Sequence, residues 1–215
     1  MKKKVTIFGS TGSIGLSTLD VINQHRDKYF KLSKVSGYRS RSAFKLIELN
    51  KKYKFIKKNS YLLDLGSSPG GWSQVASEII TSGKILSVDI KDMNPIKSVK
   101  FYKLDFGKEE SKLKIISFFN RKIDVLVSDM ATNTTGNKSL DSIRTNLLGL
   151  EVINFSTEIV KEEGNVLLKV FMGDEFDNLK NEAKKKFKKV NFFKPDSSRG
   201  ASRETYIHCA GIKSL

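Results

Sequence analysis

The stretch YLLDLGSSPGGWSQVASEII, residues 61–80, decides how the rest of the chain is read. An apolar run carries one acid, Asp64, and breaks at Gly66. Pro69 stiffens the turn, while Gly70 and Gly71 remove side chains where backbone would approach a ligand or take a positive φ. A helix then opens near Trp72. Strand, glycine turn and helix in that order build a phosphate or nucleotide site. Downstream, strand-like runs fall at 84–90, 100–105, 123–128 and 165–171, and helical periodicity fits 71–80, 108–119, 140–161 and 174–187. Two closing strands fit 189–193 and 204–212, joined by KPDSSRGASR. Gly164 before NVLLKVF reads as a helix C-cap ahead of a buried strand. The alternation predicts an α/β fold with a mostly parallel sheet, helices on both faces and an antiparallel hairpin at one edge.

Acids recur where those strands end. Asp89 closes KILSVDI, the place where an adenosine-binding sheet holds a ribose diol. Asp105, in YKLDF, could accept from an adenine amino group, and Asp129 ends the strand in VLVSDMATN. Lys169 interrupts the apolar run VLLKVF, where a charge costs desolvation unless it has a partner or a task. Glu204, opening the last strand after SSRGASR, could be that partner.

Composition narrows the class. At 215 residues with 39% hydrophobic content, the chain is long enough for one domain with a real core. No apolar run approaches the roughly 20 residues that cross a bilayer. MKKKVTIFGS starts like a secretory signal, but its apolar part is short and cut by Gly9 and Gly12, so a cytoplasmic protein is expected. A lone Cys209 excludes an internal disulfide, and two histidines, His25 and His208, do not make a zinc cluster. Thirty-nine Lys and Arg against 23 Asp and Glu give a net charge of +16, which favours a polyanionic partner such as nucleic acid. Residues 25–60 concentrate basic side chains among Tyr29, Phe30, Tyr38, Phe44, Tyr53 and Phe55. Within them, SAFKLIELNKKY has helical period, with Ser42 as its cap and Phe44, Leu46 and Leu49 facing the sheet. The run KNEAKKKFKKV, 180–190, reads as a solvated helix face.

Six motifs, GYRSRSAFKL, DLGSSPGGWSQVA, SVDI, SDMATN, LLKVFMG and KPDSSRGASRETY, occur in the order found in FtsJ/RrmJ-type ribosomal RNA 2′-O-methyltransferases. Residues from about 27 to 212 resemble that family. The resemblance implies a Rossmann-like methyltransferase with a seven-stranded sheet, using S-adenosylmethionine to methylate a uridine ribose 2′-hydroxyl in large-subunit (23S) ribosomal RNA. Free RNA or the assembled large subunit would be the partner of a monomer without membrane attachment. By motif position, the family's catalytic set falls on Lys45, Asp129, Lys169 and Glu204. Its cofactor contacts fall on Gly70, Trp72, Asp89, Asp105 and Asp129, and no metal is required. RNA would approach over Lys34, Arg39, Arg41 and Lys45, with Arg199 and Arg203 beside Glu204. Lys169 is the expected proton acceptor; its usual pKa of about 10.4 would have to fall, which burial and the Lys45 ammonium favour and the two carboxylates oppose. Thr132 stands where the family usually has Pro after SDMA, which predicts a looser loop.

The chain also opens with a glycine unit, VTIFGSTGSIG at 5–15, in a segment resembling the start of 1-deoxy-D-xylulose 5-phosphate reductoisomerase, an NADPH enzyme. That resemblance stops near residue 24, and the acidic metal motif and further domains of such enzymes are missing. The expected organisation is therefore an appended β-α segment at 1–24, a basic RNA-approach segment at 25–60 and a methyltransferase domain at 61–215. A non-catalytic RNA-binding protein on the same fold is the alternative, disfavoured because all four catalytic positions hold competent residues; an NADPH oxidoreductase fragment is the remote one.

Overall fold

Side chains alternate along the central strands and so supply two hydrophobic layers, one on each face of a single sheet. In the computed structural model, which describes residues 27–132, 135–200 and 202–213, Leu62, Ile85, Val125, Val127 and Leu167 join one layer. Their neighbours Leu63, Leu86, Leu126, Val166 and Leu168 join the other. The opening unit VTIFGSTGSIG lies outside the described residues.

Among the described residues seven strands form the sheet: β1 (Tyr61–Leu65), β2 (Lys84–Asp89), β3 (Val99–Lys103), β4 (Ile123–Ser128), β5 (Val160–Phe171), β6 (Phe187–Phe193) and β7 (Glu204–Ile212). Their order is β3-β2-β1-β4-β5-β7-β6, parallel except for β7, which runs antiparallel between β5 and β6. The expected Rossmann-like sheet is therefore present. Its strand order reverses between β1 and β4, and a ligand crevice opens at the carboxyl ends of strands at such a switch.

The helices of the described residues are α1 (Lys28–Val35), α2 (Ala43–Tyr53), α3 (Gly71–Ile79), α4 (Glu109–Phe119), α5 (Lys138–Ile159) and α6 (Phe176–Lys186). Buried residues of α2 and α3 share one layer, and those of α4, α5 and α6 share the other. Leu46 and Leu49 of α2 are fully buried, worth about 2 kcal/mol each. Phe44 packs instead against the rings of Tyr29 and Tyr38. Helix α1 lacks a strong apolar stripe and was not foreseen; Asp27 caps it, its carboxylate accepting from the Tyr29 and Phe30 amides at 2.9 and 3.2 Å.

Two local readings need correction. Ser42 is already in helical geometry and caps nothing with its side chain; its carbonyl accepts the Trp72 indole N–H at 2.8 Å. Gly164 ends no helix but lies inside β5, where the register against β4 jumps between Ile123↔Val160 and Val125↔Asn165. A Cβ there would lie 3.0 Å from the carbonyl oxygens of Asp124 and Lys161, so glycine suits the close passage of this irregular stretch beside β4.

Candidate active site

The crevice at the switch point is a cavity of about 450 Å³. The β1–α3 turn contributes Gly66 and Ser68, the end of β2 contributes Asp89 and Lys91, and the segment after β3 contributes Asp105. Asp129 and Thr132 close it after β4. Val88, Leu104, Phe106, Met130 and Leu148 supply apolar walls suited to a flat ring. Asp89 is held rigidly, Oδ2 accepting from the Ser68 amide and Oδ1 from the Lys91 amide, each at 2.8 Å. A carboxylate oxygen can accept more than one hydrogen bond, so a diol still finds acceptors there. Asp105 is exposed, with Oδ1 taking the Gly107 amide at 3.1 Å.

Gly70 and Trp72 stand apart from these walls. Gly70 has φ +110°, and a Cβ on it would come within 2.9 Å of Ile96 Cδ1 and 3.0 Å of Arg39 Nη1. The room its missing side chain leaves is filled by the protein itself. Trp72, in the first turn of α3, is buried with its ring against Tyr206.

One rim of the cavity is also the edge of an ionic cluster. Lys45 Nζ pairs with Glu204 Oε1 at 2.5 Å, and Lys169 Nζ lies 3.2 Å from Asp129 Oδ1 while donating to the Asp129 carbonyl at 2.6 Å. All four predicted catalytic side chains are thus gathered, as two lysine–carboxylate pairs. Tyr206 joins the pairs. It is fully buried, lies opposite Lys169 in the β5–β7 register, donates its hydroxyl to Asp129 Oδ1 at 2.9 Å and places its ring 5.6 Å from Lys45 Nζ. Burial works to raise the Asp129 carboxyl, but the charges of Lys169 and Lys45 and the Tyr206 hydrogen bond outweigh it and hold the acid below the usual carboxylate value. Burial first, then the charges of Asp129 and Glu204, push the Tyr206 phenol well above 10, so it remains a hydrogen-bond donor. Asp129 belongs to both the cavity wall and this cluster.

The FtsJ-like methyltransferase family model matches residues 38–212, which carry every one of these side chains. The chain belongs to the FtsJ-like methyltransferase family. A protein of Pelagibacter ubique (strain HTCC1062) named Ribosomal RNA large subunit methyltransferase E is 47% identical over 186 residues, spanning 86% of this chain and 92% of its own. One of the same name from Rickettsia akari (strain Hartford) is 41% identical over 190 residues, spanning 86% and 84%. Among solved structures, a ribosomal RNA methyltransferase from Plasmodium falciparum aligns with a TM-score of 0.72 at 35% identity, covering 81% of this chain and 98% of that one. A methyltransferase from Streptococcus mutans, in complex with SAH, shares the fold at a TM-score of 0.53 and 15% identity, covering 77% and 96%.

Against the RNA-approach residues expected of an FtsJ-like chain, the structure divides two groups. Lys34, Arg199 and Arg203 are exposed, Arg199 lying 3.7 Å from Asp27. Arg39 and Arg41 are partly buried and engaged within the protein: Arg41 pairs with Asp27 and donates to the Ser197 carbonyl, and Arg39 bonds three carbonyls. Three further positioning groups escaped the sequence reading. Tyr206 was signalled by strand period, since it shares a face with Glu204. Ser198 donates to Glu204 Oε1 at 2.9 Å from the KPDSSRGASRETY loop, whose motif was recognised without a role for this serine. Asn146, buried in α5, clamps the end of β5: Nδ2 donates to the Phe171 and Asp174 carbonyls at 2.9 Å and Oδ1 accepts the Phe171 amide at 3.0 Å. Thr132 Oγ1 lies 3.5 Å from Thr145 Oγ1.

Proposed function

We propose that this chain methylates a uridine ribose 2′-hydroxyl in large-subunit (23S) ribosomal RNA, with S-adenosylmethionine as methyl donor. The observation that carries the reading is Asp129, which lines the cofactor-sized cavity and is paired to Lys169 at its rim. Family membership and the names of the relatives support the RNA substrate.

The residues present fit the donor. A cavity of about 450 Å³ is the size of a small-molecule site, with an acid at the end of β2 and a second beyond β3. Asp89 would accept the ribose hydroxyls, Asp105 the adenine amino group, and the α3 N-terminus with Gly66 and Ser68 would receive the carboxylate end. When bound, S-adenosylmethionine supplies a sulfonium methyl carbon open to in-line attack by a hydroxyl oxygen.

The chain's own task is alignment and proton handling. A hydrogen bond to the Asp129 carbonyl and the ion pair with its carboxylate fix the direction of Lys169 Nζ, which must be a neutral amine at the moment it accepts the proton of the attacking 2′-hydroxyl. Lys45, held by Glu204 and packed over Tyr206, orients the ribose and phosphate. Holding oxygen, methyl and sulfur in line supplies most of the acceleration such a reaction needs. Lys34, Arg199 and Arg203 would contact phosphates, an interaction that weakens steeply with salt.

The test is transfer of labelled methyl from S-adenosylmethionine to large ribosomal subunits of a strain lacking the modification. Label in the large-subunit RNA, lost in Lys169→Ala, supports the reading. Tight RNA binding without incorporation would identify a non-catalytic RNA-binding protein, and NADPH binding without S-adenosylmethionine binding would overturn it.

A further inference from the structure

Arg39 sits in the basic N-terminal segment, yet its guanidinium spans two loops of the cofactor cavity. Nη1 donates to the carbonyls of Asn94 at 2.5 Å and Pro69 at 3.3 Å, and Nη2 to Pro95 at 2.7 Å. Pro69 directly follows Ser68 in the glycine turn, and Asn94 and Pro95 lie three residues and more beyond Lys91 in the β2–β3 connection; Ser68 and Lys91 both line the cavity. Ser68 ties the same two loops from within, its amide to Asp89 Oδ2 at 2.8 Å and its hydroxyl to the Asp92 carbonyl at 3.1 Å. Arg39 makes the outer tie. Its backbone amide is fixed in turn by Gln74 Oε1 of α3 at 2.7 Å. The absent side chain at Gly70 makes this possible, since a Cβ there would collide with the arginine and with Ile96.

We propose that Arg39 is a positioning residue for the cofactor: by bracing the β2–β3 loop against the glycine turn, it sets affinity for S-adenosylmethionine before RNA is present. The inference rests on the cofactor reading above. A guanidinium is suited to the task because its planar fork reaches several carbonyls at once, whereas a lysine ammonium is a point donor that cannot span them. An arginine aimed at phosphate would instead present its fork to solvent.

Calorimetric titration of the full chain with S-adenosylmethionine, without RNA, tests this in wild type, Arg39→Lys and Arg39→Ala. Circular dichroism and thermal melting verify that each variant folds, and Arg39→Lys keeps the charge if Arg39→Ala does not fold. The dissociation constant for S-adenosylmethionine should rise about tenfold in Arg39→Lys, and KM for S-adenosylmethionine should rise with it, while RNA affinity at fixed salt stays within twofold. Cofactor affinity within twofold of wild type in folded Arg39→Lys would overturn the proposal, whether or not RNA binding weakens. Wild type that fails to bind S-adenosylmethionine would instead sink the cofactor reading on which the proposal stands.

Discussion

Replacing Asp64 by Asn should turn a stability that varies little between pH 4 and 8 into one that rises with pH. Asp64 lies near the end of β1, 1% exposed, with Oδ2 accepting the Ser73 hydroxyl at 2.6 Å and Oδ1 without a partner among the described residues. Burial drives its carboxyl from 3.8 to about 7, against the Ser73 hydrogen bond and aided by the charges of Asp129 and Asp89. The unfolded chain loses this proton near pH 4 and the folded chain near 7, so the folded state binds more protons in that window. Stability then falls as pH rises, and about three pH units at 1.36 kcal/mol each make about 4 kcal/mol. His208 acts in the opposite sense. Burial lowers it from 6.5 to about 4, so the unfolded chain binds its proton first and stability rises with pH over that range, by about 3 kcal/mol. The two nearly cancel in wild type. Asp64→Asn removes one and leaves the His208 rise bare. At pH 8 the variant should be more stable by about 1–3 kcal/mol, the gain being offset in part by the amide N–H left at the unpartnered Oδ1 position. Denaturant midpoints read by circular dichroism from pH 4 to 8 provide the assay. A difference between wild type and variant that stays constant with pH would refute the reasoning.

Other perturbations follow from the same geometry. Tyr206→Phe removes a donor to a buried carboxylate and should cost about 1.5–3 kcal/mol in urea unfolding, with methyl transfer reduced about tenfold. Glu204→Gln leaves Lys45 without its carboxylate; with these side chains 12% and 11% exposed, unfolding should show a loss of about 2–3 kcal/mol. Replacing both by apolar residues of similar size should recover most of that stability while leaving the enzyme inactive. Removing residues 1–24 should leave kcat/KM for methyl transfer within twofold, since the family match begins at residue 38.

Much of this was legible because period and position report burial. The runs at 61–65 and 123–128 are strands at those bounds, and the acids Asp89 and Asp129 arrive at one sheet edge because parallel strands end together. Lys169 was visible as a charge in an apolar run, and it is indeed paired. What was not legible depended mostly on contacts distant in sequence. Arg39 and Arg41 have the composition of phosphate-binding residues, and only the folded chain shows carbonyls and Asp27 surrounding them. Gly164 looked like a helix stop because a β5 that begins at Val160 with an irregular register has no clean alternation to display. Gly70 was read as a place for close backbone approach or positive φ; it takes φ +110°, and Ile96 and Arg39 lie beside it, which no sequence pattern announces.

The most direct test of the central claim is chemical mapping of the product. After reaction of wild type with S-adenosylmethionine and unmodified large subunits, the RNA is digested to nucleosides and examined by mass spectrometry. Methylation on the ribose of uridine, absent with Lys169→Ala, is the predicted result. Methyl groups on a base, or an undiminished ribose product with Lys169→Ala, would contradict it.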